Sequence, residues 1–255
     1  MSVVLNEYEW AERAIRNHDL GGKPFETLER VAKYYYENRY DKREVRRLLD
    51  SFLIQCDPSA STVRWSGVLD RAAKRAGKTP LIQIDGVDIT EDELATIGKL
   101  TGTQMRRLAF TLLCVAKYWN AVSGHNNGWV NTPDREIMRM ANINTSIKRQ
   151  SLMFGELKQA GLIRFSKKID NLNVQVLFMK NGKTALHIQD FRNLGYQYLK
   201  YCGGPYCECE NCGLTIKVAS GVKGRPQKYC PSCALEIKTQ QTVNAVMRGR
   251  SILPS

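Results

Sequence analysis

The sequence predicts a mainly helical α+β fold, and three observations carry that prediction. Apolar residues recur at helical spacing along much of the 255-residue chain. Short alternating apolar runs, bounded by glycine, aspartate or asparagine, supply a minority of strands. Four C-terminal cysteines fall into two C-x-x-C pairs and mark off a small separate module. The chain divides accordingly into a helical region over 1–80, a mixed helix and hairpin region over 81–200, and a cysteine module over 201–255.

Residues 1–80 read as short helices broken at Gly21–Pro24, at Asp57–Pro58 and at Gly77–Pro80. Between the breaks, Leu28, Val31, Ala32 and Tyr35, then Val45, Leu48, Leu49 and Phe52, repeat at helical spacing. The run Tyr34, Tyr35, Tyr36 reads as an amphipathic helix with one ring buried and two at its flanks, in preference to a base-stacking platform. Further on, Asp85-Gly86 between alternating apolar residues of Leu81–Ile89 predicts a local hairpin, whose turn would account for Asp85 and Asp88. Thr90 and Glu93 have capping-box spacing and open a helix from Glu91 to Ile97. A longer helix is expected over Thr103–Val122, with Leu108, Leu112, Val115 and Trp119 on its buried face.

From Gly128 the pattern changes. Trp129-Val130 is a short apolar pair, and Thr132-Pro133 offers a cap and an N1 proline for a helix over Asp134–Ala141, with Ile137 and Met140 inward. Asn142 to Asn144 form a tight turn, and Thr145 or Ser146 can cap a helix reaching Ala160, ended by Gly161. Leu162–Phe165 and Val174–Phe178 then read as paired strands around a polar tip. Helix, turn, helix and hairpin over residues 103–180 resemble a winged helix-turn-helix domain, and the stretch Leu157 to Arg164 is similar to the helix-to-wing passage of that superfamily. The departure is Gly155 inside the second helix, which costs about 1 kcal/mol relative to alanine; it permits close packing or marks a kink.

That resemblance implies double-stranded DNA as partner. The second helix would lie in the major groove with Thr145, Ser146, Lys148, Arg149 and Gln150 near its N-terminal end. Arginine suits guanine, glutamine suits adenine, and lysine and hydroxyls suit phosphates. Lys167 and Lys168 would belong to the wing. The expected function is that of a sequence-specific DNA-binding protein, a regulator of transcription or replication. The alternative is an adaptor or inhibitor that docks onto a host protein complex. RNA is disfavoured, because no interleaved aromatic and basic strand motif is present.

Cys209 and Cys212 form one C-x-x-C pair and Cys230 and Cys233 the other, separated by Gly213–Tyr229. Two intervening residues let both thiolates of a pair face one ion, and two pairs complete the four-sulfur cage of a structural Zn²⁺. Gly213 suits the sharp turn under the metal, and Pro231 can start a helix that continues over Ala234–Arg248. The order, knuckle, short hairpin, then a knuckle on a helix, resembles a treble-clef or zinc-ribbon module and uncharacterised proteins of phages and mobile elements. Four thiolates leave no open position, so the ion is structural. Cys207 is a spare thiol or an exchangeable ligand, and Cys114 reads as helix core. Lys217, Lys223, Arg225 and Lys228 lie between the pairs, and Arg225 and Lys228 are candidate phosphate contacts.

The charge of +13 favours phosphate-rich or acidic partners and is spread along the chain. No apolar run reaches membrane-spanning length. Residues 1–10 lack the pattern of a signal peptide, so a reducing cytoplasm is expected. Catalysis is not expected. The three histidines, His18, His125 and His187, lie outside the cysteine module, and no phosphate-cradling glycine loop is present. His125-Asn126-Asn127 reads as a plain turn.

Overall fold

The computed structural model describes residues 3–167, 173–218 and 227–250, and it is a mainly helical α+β fold. Three separate clusters of buried side chains organise it. The first helices are α1 (Glu7–Arg16), α2 (Pro24–Glu37), α3 (Lys42–Cys56) and α4 (Thr62–Arg75). Their starts are set locally. Asn6 caps α1, Pro24 opens α2, Asp41 and Glu44 form a capping box on α3, and Ser61 caps α4. Leu28, Val31, Val45, Leu49, Phe52 and Leu69 meet in the bundle's core. A buried ion pair ties α1 to α2: Arg30 Nε donates to Glu7 at 2.8 Å, and the other Glu7 oxygen accepts the Ile82 N–H at 3.0 Å. The tyrosine run departs from expectation, since Tyr34 and Tyr35 are half-buried and Tyr36 is exposed. Ring contacts to Tyr8 and Tyr40 replace burial of a single ring.

The central unit comprises β1 (Val87–Thr90), α5 (Glu91–Gly98), α6 (Thr103–Ser123), β2 (Trp129–Val130), α7 (Asp134–Met140), α8 (Ile147–Gln159), β3 (Ile163–Phe165), β4 (Val174–Val176), β5 (Thr184–Ile188) and α9 (Leu194–Tyr201). Leu108, Leu112 and Val115 are buried as expected, but so are Phe110, Leu113 and Ala116 around the rest of α6, which makes it the core helix. Trp119 is half-buried, with its indole N–H donating to Thr132 Oγ1 at 3.1 Å. That bond corrects the expected cap. Thr132 is committed to Trp119, Pro133 occupies the N-cap position, and α7 begins at Asp134. Strands β2, β4 and β3 form an antiparallel sheet in that order, with Trp129 opposite Gln175 and Arg164 opposite Gln175.

The local hairpin at Asp85-Gly86 is not formed. Gln83 bridges to Asn6, and β1 pairs antiparallel with the distant β5, Val87 opposite Ile188. Gly86 is required by that pairing, because a Cβ there would lie 2.6 Å from the His187 ring. Asp88 likewise answers to β5 and not to a turn, with its Oδ1 2.7 Å from His187 Nδ1. The capping box of α5 is present as expected. Its Glu93 is fully buried, accepting the N–H groups of Thr90 and Lys180 at 2.8 Å each and pairing with Lys117 at 2.8 Å.

The C-terminal part contains β6 (Tyr206–Glu208), β7 (Thr215–Lys217) and α10 (Pro231–Arg250). Strands β6 and β7 pair antiparallel across the first cysteine pair, so the hairpin flanks that knuckle instead of following it. A backbone hydrogen bond from Gly213 to the Cys209 carbonyl, at 2.9 Å, tightens the knuckle enough that the strands on either side meet. Among the described residues no helix is long and apolar enough to cross a membrane.

Candidate functional site

Two constellations carry chemistry, a sulfur cage and an exposed helix face. In the cage, Gly213 adopts φ +71° just after the first pair, and Pro231 opens α10 so that Cys233 sits on the helix's first turn. The four sulfurs of Cys209, Cys212, Cys230 and Cys233 all lie within 4.8 Å of one another. Cys212 Sγ and Cys230 Sγ are 3.8 Å apart. A tetrahedral ion about 2.3 Å from each sulfur needs sulfurs about 3.8 Å apart, so these residues fit one ion with four thiolate ligands.

Backbone donors prepare the cage for negative charge. The Cys230 N–H donates to Cys209 Sγ at 3.2 Å, and the Cys233 N–H to Cys230 Sγ at 3.5 Å. Burial alone would push the Cys209 thiol up, but N–H groups of Cys230, Cys212 and Asn211 outweigh it and bring the pKa down to about 6. Cys233 goes the other way. The Asn211 side chain favours its thiolate, yet the adjoining Cys230 sulfur, burial and the remaining cysteines push it up to about 12. Thiols this close cannot all ionise without a cation between them. Cys207 stays outside the cage, half-buried, with its sulfur 3.4 Å from the Gln227 carbonyl oxygen. Cys114 is fully buried in α6, as expected, and burial raises its pKa.

The cage is anchored to the central unit through α9. In the turn that leads into α9, Arg192 donates to Asp190 Oδ1 at 3.0 Å and to Oδ2 at 2.7 Å, and also to the Cys212 carbonyl. Asn193 donates to the Thr215 carbonyl at 2.8 Å, and Lys200 pairs with Glu208 at 2.7 Å. Helix α9 itself approaches α7 so closely that a Cβ on Gly195 would lie 2.0 Å from the Ala141 carbonyl oxygen.

The helix face belongs to α8. Met153, Phe154 and Leu157 are buried, and Ile147, Lys148, Ser151 and Leu152 are exposed. Ser146 caps the helix, its Oγ accepting the Arg149 N–H at 3.3 Å. That hydroxyl is thus already engaged, and Thr145 is half-buried with its carbonyl accepting the Gln150 side-chain amide at 3.2 Å. Arg149 is exposed but folded along the helix to Glu156, at 2.8 Å. Lys148 is exposed and makes no ion pair among the described residues. Lys167 is exposed at the end of the β3 strand, while Lys168 and Arg225 lie outside the described residues. Lys228 pairs with Glu210 at 3.0 Å.

Sequence reasoning missed Ile147, at 81% exposure, and Leu152, at 52%. The signal was present for Leu152, which helical geometry puts opposite a core stripe of Met153, Phe154 and Leu157; Ile147, seven residues before Phe154, falls beside that stripe, and its exposure at the first position of α8 was not signalled. Gly155 neither packs nor kinks the helix, because α8 runs unbroken and a Cβ at this position would meet nothing within 4 Å. No family model, curated protein or solved structure matches the chain.

Proposed function

We propose that this protein is a sequence-specific DNA-binding regulator that lays α8 in the major groove of a duplex and steadies it with a zinc-bound C-terminal module. The observation that carries this reading is the order of the central elements. Helix α6, strand β2, helices α7 and α8, then β3 and β4, with the sheet ordered β2-β4-β3, follow the topology of a winged helix-turn-helix. In that arrangement the outer face of the second helix of the pair meets base edges. Here it offers Lys148 for phosphates, Ile147 and Leu152 for thymine methyl groups, and Arg149 for guanine once Glu156 releases it. Ser146 serves as the helix cap that aims the first turn, and Lys167 approaches the backbone from the wing. The four-thiolate set, with no oxygen or nitrogen ligand, favours zinc as the ion of Cys209, Cys212, Cys230 and Cys233.

Selection of bound duplexes from a random DNA pool, with zinc-loaded protein, tests the reading. Enrichment of one motif is expected, and loss of that enrichment in Lys148→Ala/Arg149→Ala would place the contact on α8. Recovery of an unenriched pool, or of no DNA, removes it. A second reading has its own support, since Ile147 and Leu152 are apolar side chains left exposed on α8. They suit a protein groove as well as thymine methyls, and an adaptor docking onto a protein complex would retain no preferred duplex.

A further inference from the structure

The N-terminal bundle carries a cationic groove that the outer face of α8 does not use. It lies between the first turns of α3 and the last turns of α4, with a volume of about 550 Å³. Lys42, Arg43, Arg46 and Arg47 enter it from α3 and Lys74 from α4, beside Asp70 and Ala73. Helical spacing gathers positions 42, 43, 46 and 47 on one side of α3. Packing of α3 against α4 then brings Lys74 to the same opening.

The five cations are not equivalent. Arg46 is engaged within the fold, bonded to Asp50 and, at 2.5 Å, to Asp70, and it fixes the floor. Lys42, Arg43, Arg47 and Lys74 are exposed and make no ion pair among the described residues. Asp41 does not neutralise them by direct pairing, because its side chain accepts the Arg43 and Glu44 backbone N–H groups, at 2.7 and 2.8 Å, as the cap of α3. Four unpaired cations around one opening repel each other, and a bound anion relieves that repulsion.

The lining also states which anion. It holds no aromatic side chain to stack on a base and no amide or hydroxyl, and four cations around one opening suit repeated phosphates better than a single base edge. The guanidinium forks of Arg43 and Arg47 match phosphate oxygens, and Lys42 and Lys74 add point charges. The floor is built from methylene stems and Ala73. An acidic peptide would present backbone N–H groups that this rim, made of donors, leaves unpaired. The geometry points to a sequence-blind site for the phosphodiester backbone of nucleic acid, separate from α8. It goes beyond the reading of α8 as a recognition helix and stands without it.

The test uses the full chain and a fluorescent duplex of arbitrary sequence, titrated across a range of salt. In Arg43→Ala/Arg47→Ala/Lys74→Ala the slope of log affinity against log salt is expected to become shallower by about 3, with roughly tenfold or greater loss of affinity at low salt. The thermal midpoint should stay at the parent value, because all three side chains are exposed and unpaired. Should the alanines shift it, Lys42→Gln/Lys74→Gln, which keeps the stems, is expected to flatten the slope by about 2. Parental slope and affinity in these variants would overturn the proposal. So would equal displacement of the duplex by polyglutamate of matched charge, which would assign the groove to an acidic protein. Duplex selection reads α8 separately. A triple variant that keeps its preferred motif while losing salt-dependent affinity supports the groove. A parental protein without any motif, whose affinity still falls in the triple variant, removes only the α8 reading.

Discussion

The central unit buries Leu108, Leu112, Leu113, Val115, Met153, Phe154 and many other side chains between helices and strands, whereas the cysteine module, among the described residues, buries a single aliphatic residue, Ile216, beside Cys209, Cys230 and Cys233. One holds its shape by removing apolar surface from water, and the other has too little such surface to do so. The difference leaves the module to be held by an ion of the kind its four clustered cysteines fit. It also makes the two regions answer to different treatments.

Removing the metal should have the largest effect. Structural zinc sites contribute on the order of 10 kcal/mol to folding. Chelation, or Cys230→Ser, is therefore expected to open β6, β7 and α10 to protease while leaving the main thermal transition in place. A single transition in which everything melts together would break the contrast. Acid should act on the same side. The Cys209 pKa lies below its ordinary value of 9.0, at about 6, so the fold favours the thiolate at that position, with Cys233 shifted the opposite way. That contribution is complete above the ordinary value and is lost as pH falls through about 6. Apparent metal affinity measured from neutral pH downward should drop across that window, with the central unit unaffected.

The central unit is vulnerable elsewhere. Glu93→Ala removes the acceptor for Thr90, Lys180 and Lys117 in a fully buried position and should cost about 3–5 kcal/mol in denaturant unfolding, with metal retained. Gly195→Ala sharpens the comparison, because it strains the packing of α9, the helix next to the cysteine module, within the central unit. The Ala141 carbonyl must move, at a cost of about 1–3 kcal/mol, and protease sensitivity of β6 and β7 should rise before that of α6. Gly155→Ala should do least. It is expected to stabilise the fold by about 1 kcal/mol, since a methyl group there meets open space. Weaker duplex binding despite that gain would show that α8 needs a close approach at this position.

What could be read from the sequence was local. The cysteine spacing, the Thr90–Glu93 box, the Ser146 cap and the end of α8 at Gly161 each depend on residues a few positions apart, and each is present in the fold. Asp85-Gly86 misled for the complementary reason. Its turn chemistry is real, but β1 finds more to pair with in β5 than in its neighbour, and no short-range rule sees β5. Thr132 was diverted by Trp119 across the core in the same way. The α3–α4 groove was invisible because its cations come from two helices and only packing unites them. Side-chain commitments such as Arg149 to Glu156 also escape a reading by residue type.

The pairing of β1 with β5 has a consequence for synthesis. The N-terminal bundle closes with residues up to Ala76, so it can form while the chain is still being made. The central unit cannot, because β1 waits for residues 184–188. Residues 3–6 wait with it: the Tyr118 hydroxyl donates to the Val4 carbonyl at 3.1 Å, and Asn6 bridges to Gln83. Residues 3–6 therefore leave the ribosome before the bundle they precede and yet settle after it, and until β5 arrives Val87 and Ile89 have no strand to cover them. A nascent chain stalled before residue 184 should expose that edge to a chaperone, and one stalled well beyond Ile188 should not.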